Sequence, residues 1–137
     1  MCIRDRHKGE RPLYTAIVGN HRELGLIDNI FNVGLAMLYC EKEEANATSY
    51  LVKNFEKHIL LDHLKCEVYK EEFPSAVSRY NSLYAPGMMM LYKHYLLTEE
   101  FSKGENIKTL ILKVSKGSQH EEAIQKQVAE CEKSAKK

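Results

Sequence analysis

The chain has 137 residues, which is enough for one domain with its own core and too few for two. Apolar residues make up 44% and charged residues 28%, and 20 Lys plus Arg stand against 19 Asp plus Glu, so neither nucleic acid nor an anionic membrane surface has an electrostatic claim as partner. No run approaches the ~18–20 apolar residues that cross a bilayer, and the first residues lack the apolar core of a signal peptide. The expectation is a soluble polypeptide that does not itself span a membrane.

Residues 1–6, MCIRDR, look like a translated sequencing-adapter end of the kind found on frames from assembled environmental DNA; the alternative is a disordered arm. Either way they are set apart from a single domain over 7–134, and residues 135–137 are read as a frayed tail. Leu13 to Val18 is short, β-branched and aromatic, with Pro12 before it and Gly19-Asn20 after it, which predicts a strand. Arg22 to Ile30 suggests a short helix that Gly25 weakens. Val33 to Cys40 is an apolar run of about eight residues that periodicity alone leaves open between a buried strand and a helix; a strand pairing with the first is the preferred reading.

Asn46 or Thr48 is placed to cap a helix running toward Cys66, with Leu51, Phe55, Ile59, Leu60, Leu61 and Leu64 on its apolar side and a bend or a break near His58. Glu67 to Ser82 carries Pro74 and has no clean period, so a loop with about one helical turn is expected there. Tyr84, Met88, Leu91, Tyr92 and Tyr95 then recur at helical spacing. Gly104 interrupts the pattern, and Ser102 with Glu105 has the spacing of a capping box, which predicts a new helix start. Ile107, Leu110, Ile111 and Val114 form the second stripe, closed by Gly117. Two helices so briefly joined must lie antiparallel. Ser118 and Glu121 open a last helix to about Ser134, with a narrow stripe of Ile124, Val128 and Cys131. The fold class is therefore mainly α within α+β: antiparallel helical hairpins with a small two-stranded β element near the N-terminus.

Few residues suggest chemistry. Cys2, Cys40, Cys66 and Cys131 include no CxxC pair, so free thiols are expected. His63, Cys66 and Glu67 would share a helical face and are metal-ligand types, but no second cluster completes a tetrahedron, so no metal is assigned. His58 and Asp62 stand four residues apart without a nucleophile at a recognisable spacing. No GxGxxG or GxxxxGK phosphate loop is present, and no cofactor is assigned. Met88-Met89-Met90 beside the tyrosines suggests an adaptable peptide groove, set against a plain core reading in which Met89 or Met90 sits at the core's edge.

Two resemblances add to this. Tyr95, Phe101 and Gly104 fall where a tetratricopeptide repeat has its helix-A tyrosine, turn aromatic and small helix-B residue, though Tyr92 stands where that repeat has a small residue. Arg11-Pro12-Leu13-Tyr14-Thr15-Ala16, then Leu24-Gly25-Leu26, then Gly34-Leu35-Ala36, resembles a stretch of a large bacterial membrane-protein family similar to protein O-mannosyltransferases. Leu60-Leu61-Asp62 and Tyr84-Ala85-Pro86 fit its downstream helical part. The resemblance covers roughly residues 8 to 117. It implies that the chain is a piece of the C-terminal region of a glycosyltransferase-like protein of the bacterial inner membrane, extracytoplasmic, with the lipid-linked sugar chemistry in a missing N-terminal membrane part. That membrane part or a neighbouring protein would be its partner. The motif residues are Arg11, Pro12, Tyr14, Ala16, Gly25 and Gly34. The function so implied is a non-catalytic accessory or protein-interaction domain; the alternative is a small enzyme or metal-binding protein using His58, Asp62, His63 and Cys66.

Overall fold

Strand β1, Leu13–Ala16, pairs antiparallel with β3, Ala36–Tyr39, and β3 pairs on its other side with β2, Ile30–Asn32. The computed structural model describes residues 13–16, 21–23, 25–40, 47–65 and 75–135. The expected pairing of the two apolar segments is present, with Leu13 opposite Tyr39 and Ala16 opposite Ala36. The third strand is a correction: it takes residues whose pattern suggested the end of a helix over 22–30. Gly25, at φ +63°, closes a turn in which its N–H reaches the Arg22 carbonyl at 3.0 Å, and only Ile27–Asn29 makes a single 3₁₀ turn. The β2–β3 connection is held by the Asn32 carboxamide, whose Oδ1 accepts the Gly34 N–H at 2.9 Å.

Helix α1, Ala47–Lys57, buries Leu51 and Phe55. Thr48 lies inside the helix, and Asn46 is outside the described residues. Of the expected bend or break near His58, it is the break that occurs. The N–H groups of His58 and Ile59 both reach the Asn54 carbonyl, and a separate turn, α2, Asp62–Lys65, buries Leu64. The region up to Ser82, expected as a loop with about one helical turn, contains helix α3, Ser75–Asn81, followed by a 3₁₀ turn, Ser82–Tyr84. Its buried positions are small and polar, Ser78 and Asn81, so no apolar stripe announces it.

Helices α4, Ala85–Leu97, and α5, Phe101–Ser115, form the central hairpin. Met88, Leu91, Tyr92, Tyr95, Ile107, Leu110, Ile111 and Val114 are all buried, so both predicted stripes are core. The junction differs from the sequence reading. The turn is Thr98 to Glu100, with Glu99 at φ +61° and the Glu100 N–H on the Tyr95 carbonyl, while Ser102 and Gly104 lie inside α5. Helix α6, Glu121–Ala135, follows Gly117, and the Glu121 carboxylate accepts the Gly117 N–H at 2.7 Å. Val128 is buried, with Ile124 and Cys131 packed at the core's edge. Helix α6 runs antiparallel to α5, since Gly117 meets its start and Lys108 its Glu132, and therefore parallel to α4. Among the described residues no helix is long and apolar enough to cross a membrane.

Candidate functional site

The break after α1 undoes the spacing on which the His58 and Asp62 pairing rested, because positions four apart share a face only within one continuous helix. Both are exposed, and the Asp62 carboxylate stands 3.6 Å from Lys65 on its own short helix. His63 is exposed, its ring 5.6 Å from that of Tyr84. Cys66 and Glu67 lie outside the described residues. Among the described residues no three His, Cys, Asp or Glu side chains come together as metal ligands. Cys40 and Cys131 are both half-buried.

The motif residues do not converge on a cavity. Arg11 and Pro12 lie outside the described residues. Tyr14 is 61% exposed on β1, and Ala16 ends that strand, also exposed. Gly25 and Gly34 are turn residues of positive φ. Gly34 also makes the contact that seats the sheet on the helices. A Cβ on Gly87 of α4 would stand 3.1 Å from the Gly34 carbonyl oxygen and 3.0 Å from the Phe55 ring. The Asn54 side chain donates to the Val33 carbonyl at 2.7 Å and pins the same tip to α1.

Two parallel side-chain networks tie the other helices to the hairpin. The Tyr95 hydroxyl donates to Glu56 of α1 at 3.0 Å, and Lys103 of α5 bridges Glu56 at 2.8 Å and Glu100 at 2.6 Å. One helical turn away, the Tyr92 hydroxyl donates to Glu132 of α6 at 3.4 Å, and Lys108 bridges Glu132 at 2.7 Å and Glu105 at 3.2 Å. Burial pushes both phenols up to about 12, assisted by the Glu132 charge for Tyr92 and the Glu56 hydrogen bond for Tyr95. The hydrogen bond from Lys103 holds Glu56 below the ordinary carboxylate value. Each chain of contacts repeats one order: an α4 tyrosine, a glutamate from a neighbouring helix, an α5 lysine, and that lysine's own i−3 glutamate.

A largely apolar surface feature is a groove between the parallel helices α4 and α6. Two hollows of about 310 and 380 Å³ run end to end along it and share Met89 and Gln127. Leu96, Leu97 and Cys131 line one; Pro86, Ala123 and Ile124 line the other. Of the methionine triplet, Met88 is fully buried, Met89 lines the groove and Met90 is 45% exposed, so a core residue and a groove residue sit side by side. The position of α6 against α4 is a tertiary fact, and only Ile124 and Cys131 hinted at it in the sequence.

Compared with protein-family models, with curated proteins and with solved structures, the chain matches none. What fold and surface define is a class, a mainly helical domain with a small antiparallel sheet and an apolar groove between two of its helices.

Proposed function

We propose that the chain is a non-catalytic interaction domain. In this reading it is the extracytoplasmic accessory part of a bacterial inner-membrane protein resembling protein O-mannosyltransferases, and it docks on that parent's membrane region or on a neighbouring protein. The observation that carries the interaction role is the α4–α6 groove. It is long, shallow and walled by Met89, Leu96, Leu97 and Ile124, a shape that fits a protein surface better than a small molecule. The parentage rests on the motif from Arg11 to Ala16 with Gly25 and Gly34, and on nothing in the groove.

The test is direct. Purified chain is incubated with lipid-phosphate sugars and peptide acceptors, and products are sought by mass spectrometry. No product is expected, because a transferase must hold acid, base or metal groups in register with its donor. Turnover that disappears in Asp62→Asn or His58→Ala would overturn the reading and place a catalytic site at the α1–α2 break.

A further inference from the structure

On α4 the exposed positions Pro86, Met90, Lys93 and Leu97 recur at offsets of four, seven and eleven, which makes one stripe of a helix. Three of the four are apolar, and Leu97 is 72% exposed. The other sides of α4 are packed on α1, α5 and α6. A helix whose exposed stripe is also mostly apolar has the composition of one that is covered there as well. Across the groove, α6 presents exposed Ala123, Gln127, Glu130 and Ser134 at matching offsets of four, seven and eleven.

The groove's charges indicate what covers the stripe. Lys93 on α4 and Glu130 on α6 line the same hollow, both are exposed, and among the described residues neither is in an ion pair. One cation on one wall and one anion on the other make the face complementary to itself. Because α4 and α6 run parallel, a two-fold axis laid along the groove sets α4 of one copy over α6 of the other at the same height. Lys93 then meets the partner's Glu130, and the pairing occurs twice, as an isologous interface requires. A two-fold axis laid across the groove would oppose Lys93 to the partner's Lys93.

From this we infer that the groove is the seat of a second copy of this chain, the two pairs of helices forming a parallel four-helix layer. The inference rests on the interaction-domain reading and names its partner. The thirteen residues of α4 span about 20 Å, and two helices side by side cover about the same width, so roughly 400 Å² of each copy is covered. That is about half of a standard interface, so the dimer is weak and depends on concentration.

The experiment is sedimentation of the whole chain from about 1 μM to about 1 mM, a range that brackets weak association. The mass is expected to rise from one chain toward two, with a midpoint on the order of 10–100 μM. Lys93→Glu and Glu130→Lys each turn two attractions into two repulsions, and each should weaken the dimer roughly tenfold or more. An equal mixture of these two variants, and the double variant Lys93→Glu/Glu130→Lys, should both regain it. Both side chains are exposed, so circular dichroism should show every variant folded. A single-chain mass throughout overturns the inference, as does a dimer indifferent to all the variants; neither result touches the interaction-domain reading, which stands or falls on the transfer assay.

Discussion

Gly104 of α5 faces the ring of Tyr92: a Cβ added to the glycine would stand 3.7 Å from Cε2 and 3.8 Å from Cδ2 of that ring, and 3.7 Å from the Tyr95 Cβ. These are ordinary contact distances, so the site has room for one methyl group and no more. Alanine also holds a helix better than glycine, and Gly104→Ala should stabilise the fold by about 0.5–1 kcal/mol. Gly104→Leu should cost about 1–3 kcal/mol through overpacking against the two tyrosines. Thermal melts of the two variants should shift in opposite directions.

The phenols of Tyr92 and Tyr95 give the fold an alkaline limit. Folding raises both from 10.0 to about 12. Each raised group contributes stability that is whole below its unfolded value and is lost as pH rises through its folded value, so stability should decline between pH 10 and about 12. Tyrosinate absorbance should show Tyr92 and Tyr95 ionising late, together with unfolding. Tyr92→Phe should remove one late ionisation and make the decline less steep.

Glu56 sets a smaller limit on the acid side. Lys103, then Tyr95, hold its carboxyl below 4.5, so its contribution is present above pH 4.5 and lost as pH falls through the depressed folded value. Its side chain is 35% exposed and that of Lys103 52%, so solvent screens the pair and Glu56→Gln should cost less than about 1 kcal/mol at neutral pH. Urea unfolding at neutral pH and in acid checks this: the difference from wild type should vanish in acid.

The seam between sheet and helices should tolerate neither of its glycines being changed. At Gly34 a side chain meets φ +130° and Ile59 Cδ1 at 2.7 Å; at Gly87 it meets the Phe55 ring and a carbonyl oxygen. Gly34→Ala and Gly87→Ala should each cost roughly 1–3 kcal/mol, and the double variant less than the sum, since both lesions open the same contact. Denaturant midpoints of the three variants supply the comparison.

Within the core, Leu91→Ala should cost about 2–5 kcal/mol because Leu91 is 1% exposed, whereas Lys126→Ala on the open face of α6 should cost under about 0.5 kcal/mol.

The helical hairpin was legible because its stripes repeat over thirteen and fifteen residues, long enough for a helical period to stand out. Gly104 was read as a break because glycine is a poor helix former, but the closeness of Tyr92 on α4 asks for a small residue there, and packing overrode propensity. Strand β2 is three residues long and exists through its pairing with β3, a non-local cause that leaves no local pattern. Helix α3, where the sequence suggests only about one turn, is longer than expected for a related reason: its buried side chains are serine and asparagine. The groove was half legible, in the methionine triplet of α4, while its other wall depends on where α6 comes to rest.

Where Gly34 meets Gly87 neither residue brings a side chain, and the two backbones approach beside the Phe55 ring. Side-chain joints absorb small displacements by changing rotamer; the two glycines have no rotamer to change, and the Phe55 ring beside them is buried. A push on the hairpin tip is therefore passed to the first turn of α4 as a translation, and that turn forms one end of the groove at Ala85 and Pro86. Amide exchange at Gly34 and at the start of α4 should accordingly quicken and slow together, and a second copy seated on the groove should be felt at the tip of a strand pair it never touches.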